Sequence, residues 1–213
     1  MSLFRTVGWW APARRARARA PHPATEQTGR PPVGPGRFGH TAGMDASGLR
    51  ALQTPLKQRY RSDPASARTP LSARADYRDD GITCTVDSWA GPVRAGLHGA
   101  TGGDGTDACS GDMLLEAVLA CAGVTLRSVA TAMGLSLRSA SLRADGTFDA
   151  RGTLGLDRDV PVGVQDVVVT VEVDTDADDA ALERLARSTE RYCVVGQSLR
   201  DGVRVVVRRT SDG

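Results

Sequence analysis

The stretch from Ser110 to Gly134, SGDMLLEAVLACAGVTLRSVATAMG, decides how this sequence folds. Ser110 is a favourable N-cap, Asp112 stands in the first turn where a carboxylate favours the helix dipole, and Gly134 follows the last turn. Between them, apolar residues occupy most of the helix circumference. This pattern predicts a central helix that is buried on nearly all sides, inside a domain or against a partner subunit.

The same stretch is not predicted to span a membrane. Glu116 and Arg127 leave an uncharged middle of ten residues, whereas a bilayer needs roughly 20. The beginning of the chain is unlike a secretory signal, because the arginines at positions 14, 15, 17 and 19 are followed by Pro-rich sequence. We therefore expect a cytoplasmic protein with no membrane partner, whose cysteines form no structural disulfide framework.

Charge and composition divide the chain near residue 43. Residues 1–43 contain seven Arg and one Glu without any helical or strand period, which predicts a disordered basic tail, with Met44 as the natural start. Residues 44–213 contain 20 basic and 24 acidic residues and are predicted to form one domain. An acidic body argues against a nucleic-acid-binding core, so binding of that kind would depend on the tail.

The elements around the central helix predict an α+β fold, in which antiparallel sheets pack on two helices. A short amphipathic helix is predicted over 46–62. Strands are predicted at 71–78 and 82–88 (joined at Asp79-Asp80-Gly81), 93–98, 137–144 and 147–156 (joined at Asp145-Gly146), and in the valine-rich segments 167–173 and 203–207. In the second strand, Ile82, Cys84 and Val86 are expected to share a buried face.

A second helix is predicted to begin after Asp176 or Asp178. Its apolar stripe consists of Leu182, Leu185, Thr189 and either Cys193 or Tyr192. If Cys193 belongs to this stripe, the second helix directs it at the central helix.

The four cysteines are the candidate residues for any chemistry that this sequence could perform. Cys84, Cys109, Cys121 and Cys193 form no C-x-x-C pair, and His98 is the only histidine of the body, so zinc-type spacing is absent. The G-x-S-x-G motif of serine hydrolases is absent too. The sequence therefore leaves two alternatives, thiol chemistry or no chemistry at all. The second stays open because a cysteine in a buried helix often serves only as a small apolar residue.

Two segments of the chain resemble the cysteine motifs of the OsmC/Ohr family of thiol peroxidases. Residues 110–127, SGDMLLEAVLACAGVTLR, resemble the central helix of that family. Residues 182–199, LERLARSTERYCVVGQSL, resemble its second motif, in which an acidic helix leads into Cys-Pro-Val. The resemblance covers about residues 46–208 and departs from the family at Val194, which stands where proline is common.

The resemblance implies a fold of two sheets around central helices, an intertwined homodimer with active sites at the subunit interface, and peroxidase activity without metal or cofactor. Cys121 would be the peroxidatic thiol and Cys193 the resolving thiol that forms a disulfide with it. Asp112 is the best candidate for the carboxylate that orients an activating arginine; the candidates for that arginine are Arg74, Arg94 and Arg127.

The implied substrates are organic hydroperoxides or hydrogen peroxide, and the implied reductant is a dithiol, such as a lipoyl group. The alternative function is a non-catalytic OsmC-like stress or binding protein. Cys84 and Cys109 have no role that the resemblance assigns.

Overall fold

The computed structural model describes residues 44–210, so the predicted disorder of residues 1–43 concerns a segment outside the described residues. The helices are α1 (Ala46–Ser62), α2 (Ser110–Met133), α3 (Ala150–Thr153) and α4 (Asp179–Tyr192). The strands are β1 (Ala75–Asp76), β2 (Cys84–Ser88), β3 (Gly91–Gly96), β4 (Ala108–Cys109), β5 (Ser139–Thr147), β6 (Gln165–Asp174) and β7 (Arg204–Arg209).

The strands form two sheets, which together with the helices confirm the predicted α+β class. The first sheet has the order β1-β2-β3-β4 and the second the order β5-β6-β7. Most neighbours are antiparallel, but β3 and β4 are parallel, and so are β6 and β7. The prediction of antiparallel sheets missed these two pairs. The pair β6–β7 is parallel because α4 carries the chain back across the sheet between the two strands.

The core lies where the second sheet packs on α2 and α4. Val167, Val169, Val171 and Val173 alternate along β6 and are all buried, as the sequence pattern predicts. From α4, Leu182 and Leu185 enter the same cluster, together with Val205 of β7 and four residues of α2. The predicted helix at 46–62 is confirmed as α1, but it contains no buried residue.

Within one chain a single face of α2 is buried, and the burial of its other sides against a partner subunit stays a prediction. The buried residues are Val118, Ala122, Leu126 and Ala130, whereas Val124 is 74% exposed. The N-cap is Cys109 rather than Ser110, and its side chain makes no capping hydrogen bond. Gly134 follows the last turn with φ +70°, as predicted.

Among the described helices, α2 also has the length and mean hydropathy that a membrane-crossing helix needs. A core helix of a domain meets the same criterion. Because α2 contributes four residues to the core, we describe it as a core helix.

The first predicted hairpin is shorter than expected and buries a different residue. The strand at 71–78 is reduced to the two residues of β1. Ile82 lies outside β2 and is 75% exposed, and Thr85 rather than Cys84 or Val86 is the buried residue of the strand. The Thr85 hydroxyl donates to the Asp79 carboxylate at 2.7 Å, so this polar side chain can be buried at little cost.

The second predicted hairpin, 137–144 with 147–156, is absent from the described residues. Strand β5 runs through Asp145-Gly146 and pairs with β6 as far as Thr147. The segment that was predicted as the next strand forms the short helix α3 instead. Asp149 caps α3 by accepting the N–H of Arg151 at 2.9 Å, and this local cap outweighs the weak strand pattern.

Candidate active site at the two thiols

Cys121 lies at the middle of α2 and is partly buried, next to the fully packed Ala122. Helix α2 is held against the second sheet and α4 by its buried face, which fixes the backbone of Cys121. The thiol is free.

Cys193 is the residue at which α4 ends. Its N–H donates to the Thr189 carbonyl at 3.0 Å, and only 2% of the residue is exposed. Leu182, Leu185 and Thr189 precede it on one buried stripe, whereas Tyr192 is 61% exposed. The choice that the sequence left open between Cys193 and Tyr192 is thus decided in favour of Cys193.

The structure brings the side chains of Cys121 and Cys193 close enough that each shifts the pKa of the other, although 72 positions of sequence separate them. This proximity arises because the end of α4 packs on the middle of α2. Two thiols that are neighbours in the fold are the arrangement from which a disulfide forms after one of them is oxidised.

The surroundings shift the pKa values of the two thiols in opposite directions. Burial raises the pKa of Cys121, but four groups outweigh it and hold the pKa below the ordinary thiol value: the Val195 backbone N–H, the Cys193 thiol, the Val194 backbone N–H and the Thr125 hydroxyl. For Cys193 burial prevails and raises its pKa, against the Gly196 N–H, which lowers it. These directions favour Cys121 as the first of the two thiols to ionise.

A tight turn after Cys193 shapes this side of the site. The Gly196 N–H donates to the Cys193 sulfur at 3.4 Å, and the Gln197 N–H donates to the Cys193 carbonyl at 2.9 Å. A Cβ on Gly196 would lie 3.3 Å from that sulfur and 3.4 Å from Val203. Glycine at 196 thus lets the backbone approach the thiol. A glycine three positions after a cysteine was a signal for this turn that the sequence analysis did not use.

Asp112 lies in the first turn of α2 and is exposed. Nine residues separate it from Cys121, which in an α-helix is two and a half turns, on the order of 13 Å along the axis and on the opposite side. The structure of one chain therefore does not bring Asp112 to Cys121, and its orienting role stays a prediction.

None of the three candidate arginines is among the groups with the largest influence on the pKa of Cys121. Arg94 pairs with Asp107, while Arg74 and Arg127 are exposed. Sequence reasoning missed the groups that do act on this thiol, namely Thr125 and the backbone of Val194 and Val195.

Cys84 and Cys109 do not form a second thiol pair. They lie on the two strands that flank β3, where Cys84 is opposite Ala95 and Cys109 is opposite Gly96. Neighbouring residues of a strand face opposite sides of the sheet, so the two thiols point apart. Between residues 44 and 210, no group of three or more His, Cys, Asp or Glu side chains is arranged to hold a metal ion.

Comparisons with known proteins agree with this fold. The family described as OsmC-like protein matches residues 103–208. No curated protein sequence matches significantly. Similar solved structures include an OsmC-like protein from Mycoplasma pneumoniae (13% identity, TM-score 0.54, covering 67% of this chain and 96% of that one). Others are an OsmC-like protein of unknown function from Vibrio cholerae (14%, 0.53, 67% and 100%) and an organic hydroperoxide resistance protein from Elizabethkingia anophelis (13%, 0.53, 68% and 99%).

At 13% to 14% identity the solved structures show that the folds are similar, whereas the family match is a similarity of sequence. The matched range contains both Cys121 and Cys193. Through the match over residues 103–208, this chain belongs to the OsmC-like protein family.

Proposed function

We propose that this protein is a thiol-dependent hydroperoxide reductase, with Cys121 as the peroxidatic and Cys193 as the resolving cysteine. The observation that carries the proposal is the proximity of two thiols, Cys121 with a lowered pKa and Cys193 with a raised one, in a largely apolar cluster. The similar fold of the Elizabethkingia anophelis protein, which is called an organic hydroperoxide resistance protein, supports a role in the response to oxidative stress.

The chemistry has three steps. The Cys121 thiolate attacks the terminal oxygen of the hydroperoxide, the O–O bond breaks, and the alkoxide leaves and takes a proton to become the alcohol. Cys121 is then a sulfenic acid. The Cys193 thiol attacks its sulfur, and the S–O bond breaks with release of water as the S–S bond forms. An external dithiol, for example a lipoyl group, reduces this disulfide by thiol–disulfide exchange.

Thiolate formation at Cys121 is supported by dipoles. The Val194 and Val195 N–H groups and the Thr125 hydroxyl place partial positive charge toward the sulfur. An orienting Asp112 would have to come from a second subunit, because within one chain it lies on the opposite side of α2 from Cys121. An activating arginine would add to these dipoles. No metal or cofactor is needed for these steps.

We further propose that the protein acts as a cytoplasmic, intertwined homodimer, with no nucleic-acid or membrane partner. Exposed apolar side chains close to the site support the dimer: Val124 is 74% exposed and Val194 is 65% exposed. The second candidate function is a non-catalytic OsmC-like stress or binding protein. It is favoured by the separation of Asp112 from Cys121 in one chain.

Replacing each cysteine separately tests the proposal. Cys121→Ser should abolish peroxide consumption, because a serine hydroxyl is not ionised near neutral pH. Cys193→Ser should react once and then stall as the sulfenic acid, which further peroxide converts to sulfinic acid, a mass gain of about 32 Da. Peroxide consumption with a dithiol reductant and intact-protein mass spectrometry measure both outcomes.

The wild-type protein distinguishes the two candidate functions. Titration with cumene hydroperoxide should remove two free thiols per chain if the protein is a reductase, and none at a few equivalents if it is not catalytic. Full turnover by Cys121→Ser would end the enzymatic interpretation. Turnover of Cys193→Ser at the wild-type rate would remove only the role of Cys193.

A further inference from the structure

Glu190 occupies the last turn of α4, three residues before Cys193, and its carboxylate crosses to the neighbouring strand. Its Oε1 accepts the backbone N–H of Val205 at 2.6 Å. Val205 is the second residue of β7, is 5% exposed, and is paired with Val169 of β6. A side chain of α4 therefore supplies the partner for a buried main-chain donor of β7.

A second contact closes a ring around the cysteine. The Gln197 side-chain amide donates to the Glu190 carbonyl at 2.9 Å. The segment that carries Cys193 is thus held at Glu190 before the cysteine and at Gln197 after it. The carboxylate then fastens this segment to β7, which is itself a strand of the second sheet.

We propose that Glu190 is a positioning residue for the resolving thiol: by fixing the end of α4 to β7, its carboxylate holds the Cys193 sulfur against that of Cys121. This inference rests on the proposed function. Its physical basis is that attack of one thiol on another group is fast only while the reacting atoms are held within a narrow range of distance and angle. The hydrogen bond between Glu190 and Val205 limits the distance and angle between the two thiols, although neither residue belongs to the thiol pair.

The hydrogen bond from Val205 requires an oxygen acceptor at the end of this side chain, but it does not require the negative charge of the carboxylate. Glu190→Gln keeps an oxygen acceptor at the same distance, whereas Glu190→Ala leaves the Val205 N–H without this partner. Glu190→Asp keeps the charge but withdraws the acceptor by one methylene. Glu183→Ala is the matched control, because Glu183 lies on the same helix and pairs with Arg187 at an exposed position.

The test separates the two steps of the reaction in a background with Cys84→Ser and Cys109→Ser. Reduced protein is mixed rapidly with cumene hydroperoxide, and acid-quenched samples are analysed by mass spectrometry. At a pH above the pKa of Cys121 in every variant, the thiolate is fully formed whatever the position of the Val194 and Val195 N–H groups. There we expect Glu190→Ala to lose its Cys121 thiol at a rate within about twofold of the parent but to form the disulfide about tenfold more slowly. Sulfinic acid should accumulate on Cys121. Glu190→Gln and Glu183→Ala should behave as the parent does.

A second measurement does not depend on peroxide. The fraction of each variant that holds the Cys121–Cys193 disulfide is determined at equilibrium with mixtures of reduced and oxidised glutathione. The effective concentration of one thiol at the other should fall about tenfold in Glu190→Ala and stay unchanged in Glu190→Gln. This measurement tests the position of Cys193 even if the protein does not react with peroxide, in which case the proposed function alone fails.

Three results would overturn the inference. They are disulfide formation at the parent rate in Glu190→Ala, equal slowing in Glu190→Gln, and equal slowing of both steps together with a lower melting temperature, which would indicate a general structural role. If Glu190→Ala does not fold, Glu190→Asp replaces it, and the same slowing of the second step is expected.

Discussion

At the scale of single residues, the site is defined by which groups face the Cys121 sulfur. Thr125 lies one helical turn after Cys121, so its hydroxyl reaches the same side of α2. The Val194 and Val195 N–H groups come from the turn that follows Cys193. Ionisation of Cys121 thus depends on the turn that also carries the resolving thiol.

Replacing Thr125 by valine should make Cys121 harder to ionise. Thr125→Val keeps the branched shape but removes the hydroxyl that lowers the pKa of Cys121, so the pKa should rise. Because the thiolate is the reactive form, alkylation by iodoacetamide should then need a higher pH to reach half its maximal rate. Peptide mass spectrometry of Cys121 across a pH series measures this midpoint.

Thr131→Val is the control for this measurement. Thr131 lies on the same helix, and its hydroxyl donates to the Arg127 carbonyl at 2.9 Å, away from the thiols. It should leave the midpoint unchanged. A midpoint for Thr125→Val at or below that of the wild type would show that the hydroxyl does not stabilise the thiolate.

At the scale of elements, sequence patterns predicted those parts whose burial follows one period. The valine alternation of β6 and the stripe of α4 both face a single core, so periodicity alone identified them. The structure then decided that Cys193 rather than Tyr192 continues the α4 stripe. The two hairpins were partly wrong because local hydrogen bonds decided them. Asp149 caps a helix where a strand was expected, and Asp79 lets Thr85 be buried.

The candidate site also consists of residues that the sequence could predict and residues that it could not. The two cysteines and the packing of α4 on α2 could be predicted from motif and stripe. Thr125, Gly196 and Glu190 could not, because each acts through a contact that depends on the detailed backbone path around Cys193. Asp112 was chosen by motif, and helix geometry places it on the far side of α2 within one chain.

At the scale of the whole molecule, apolar residues on the outside of α2 and in the neighbouring loops remain uncovered in one chain. Val124 and Val194 lie beside the thiols in the sequence and are 74% and 65% exposed. Exposed apolar patches of this kind mark surfaces that bind another protein. Their position next to Cys121 supports a second copy of the chain as the partner.

We predict that the protein is an obligate homodimer at micromolar concentration. Val124→Asp should weaken the dimer, because a carboxylate would lose its hydration inside the interface. Arg184→Asp, at an exposed position of α4, is the control and should leave association unchanged. Sedimentation velocity measures all three proteins. A wild-type protein that sediments as a folded monomer, or a Val124→Asp dimer as tight as the wild type, would contradict the prediction.

The contact between Cys121 and Cys193 also ties heat resistance to the supply of reductant. A bond between two residues that are 72 positions apart would remove freedom chiefly from the unfolded chain, which in the loop-entropy picture amounts to about 4 kcal/mol. The oxidised protein should therefore melt at a higher temperature than the reduced protein, and calorimetry of the two forms would measure the difference. Equal melting temperatures would mean that the bond strains the folded chain as much as it restricts the unfolded one. If the oxidised protein does melt at the higher temperature, a cell that is short of reductant would contain this protein mainly in its more heat-resistant, disulfide-bonded form.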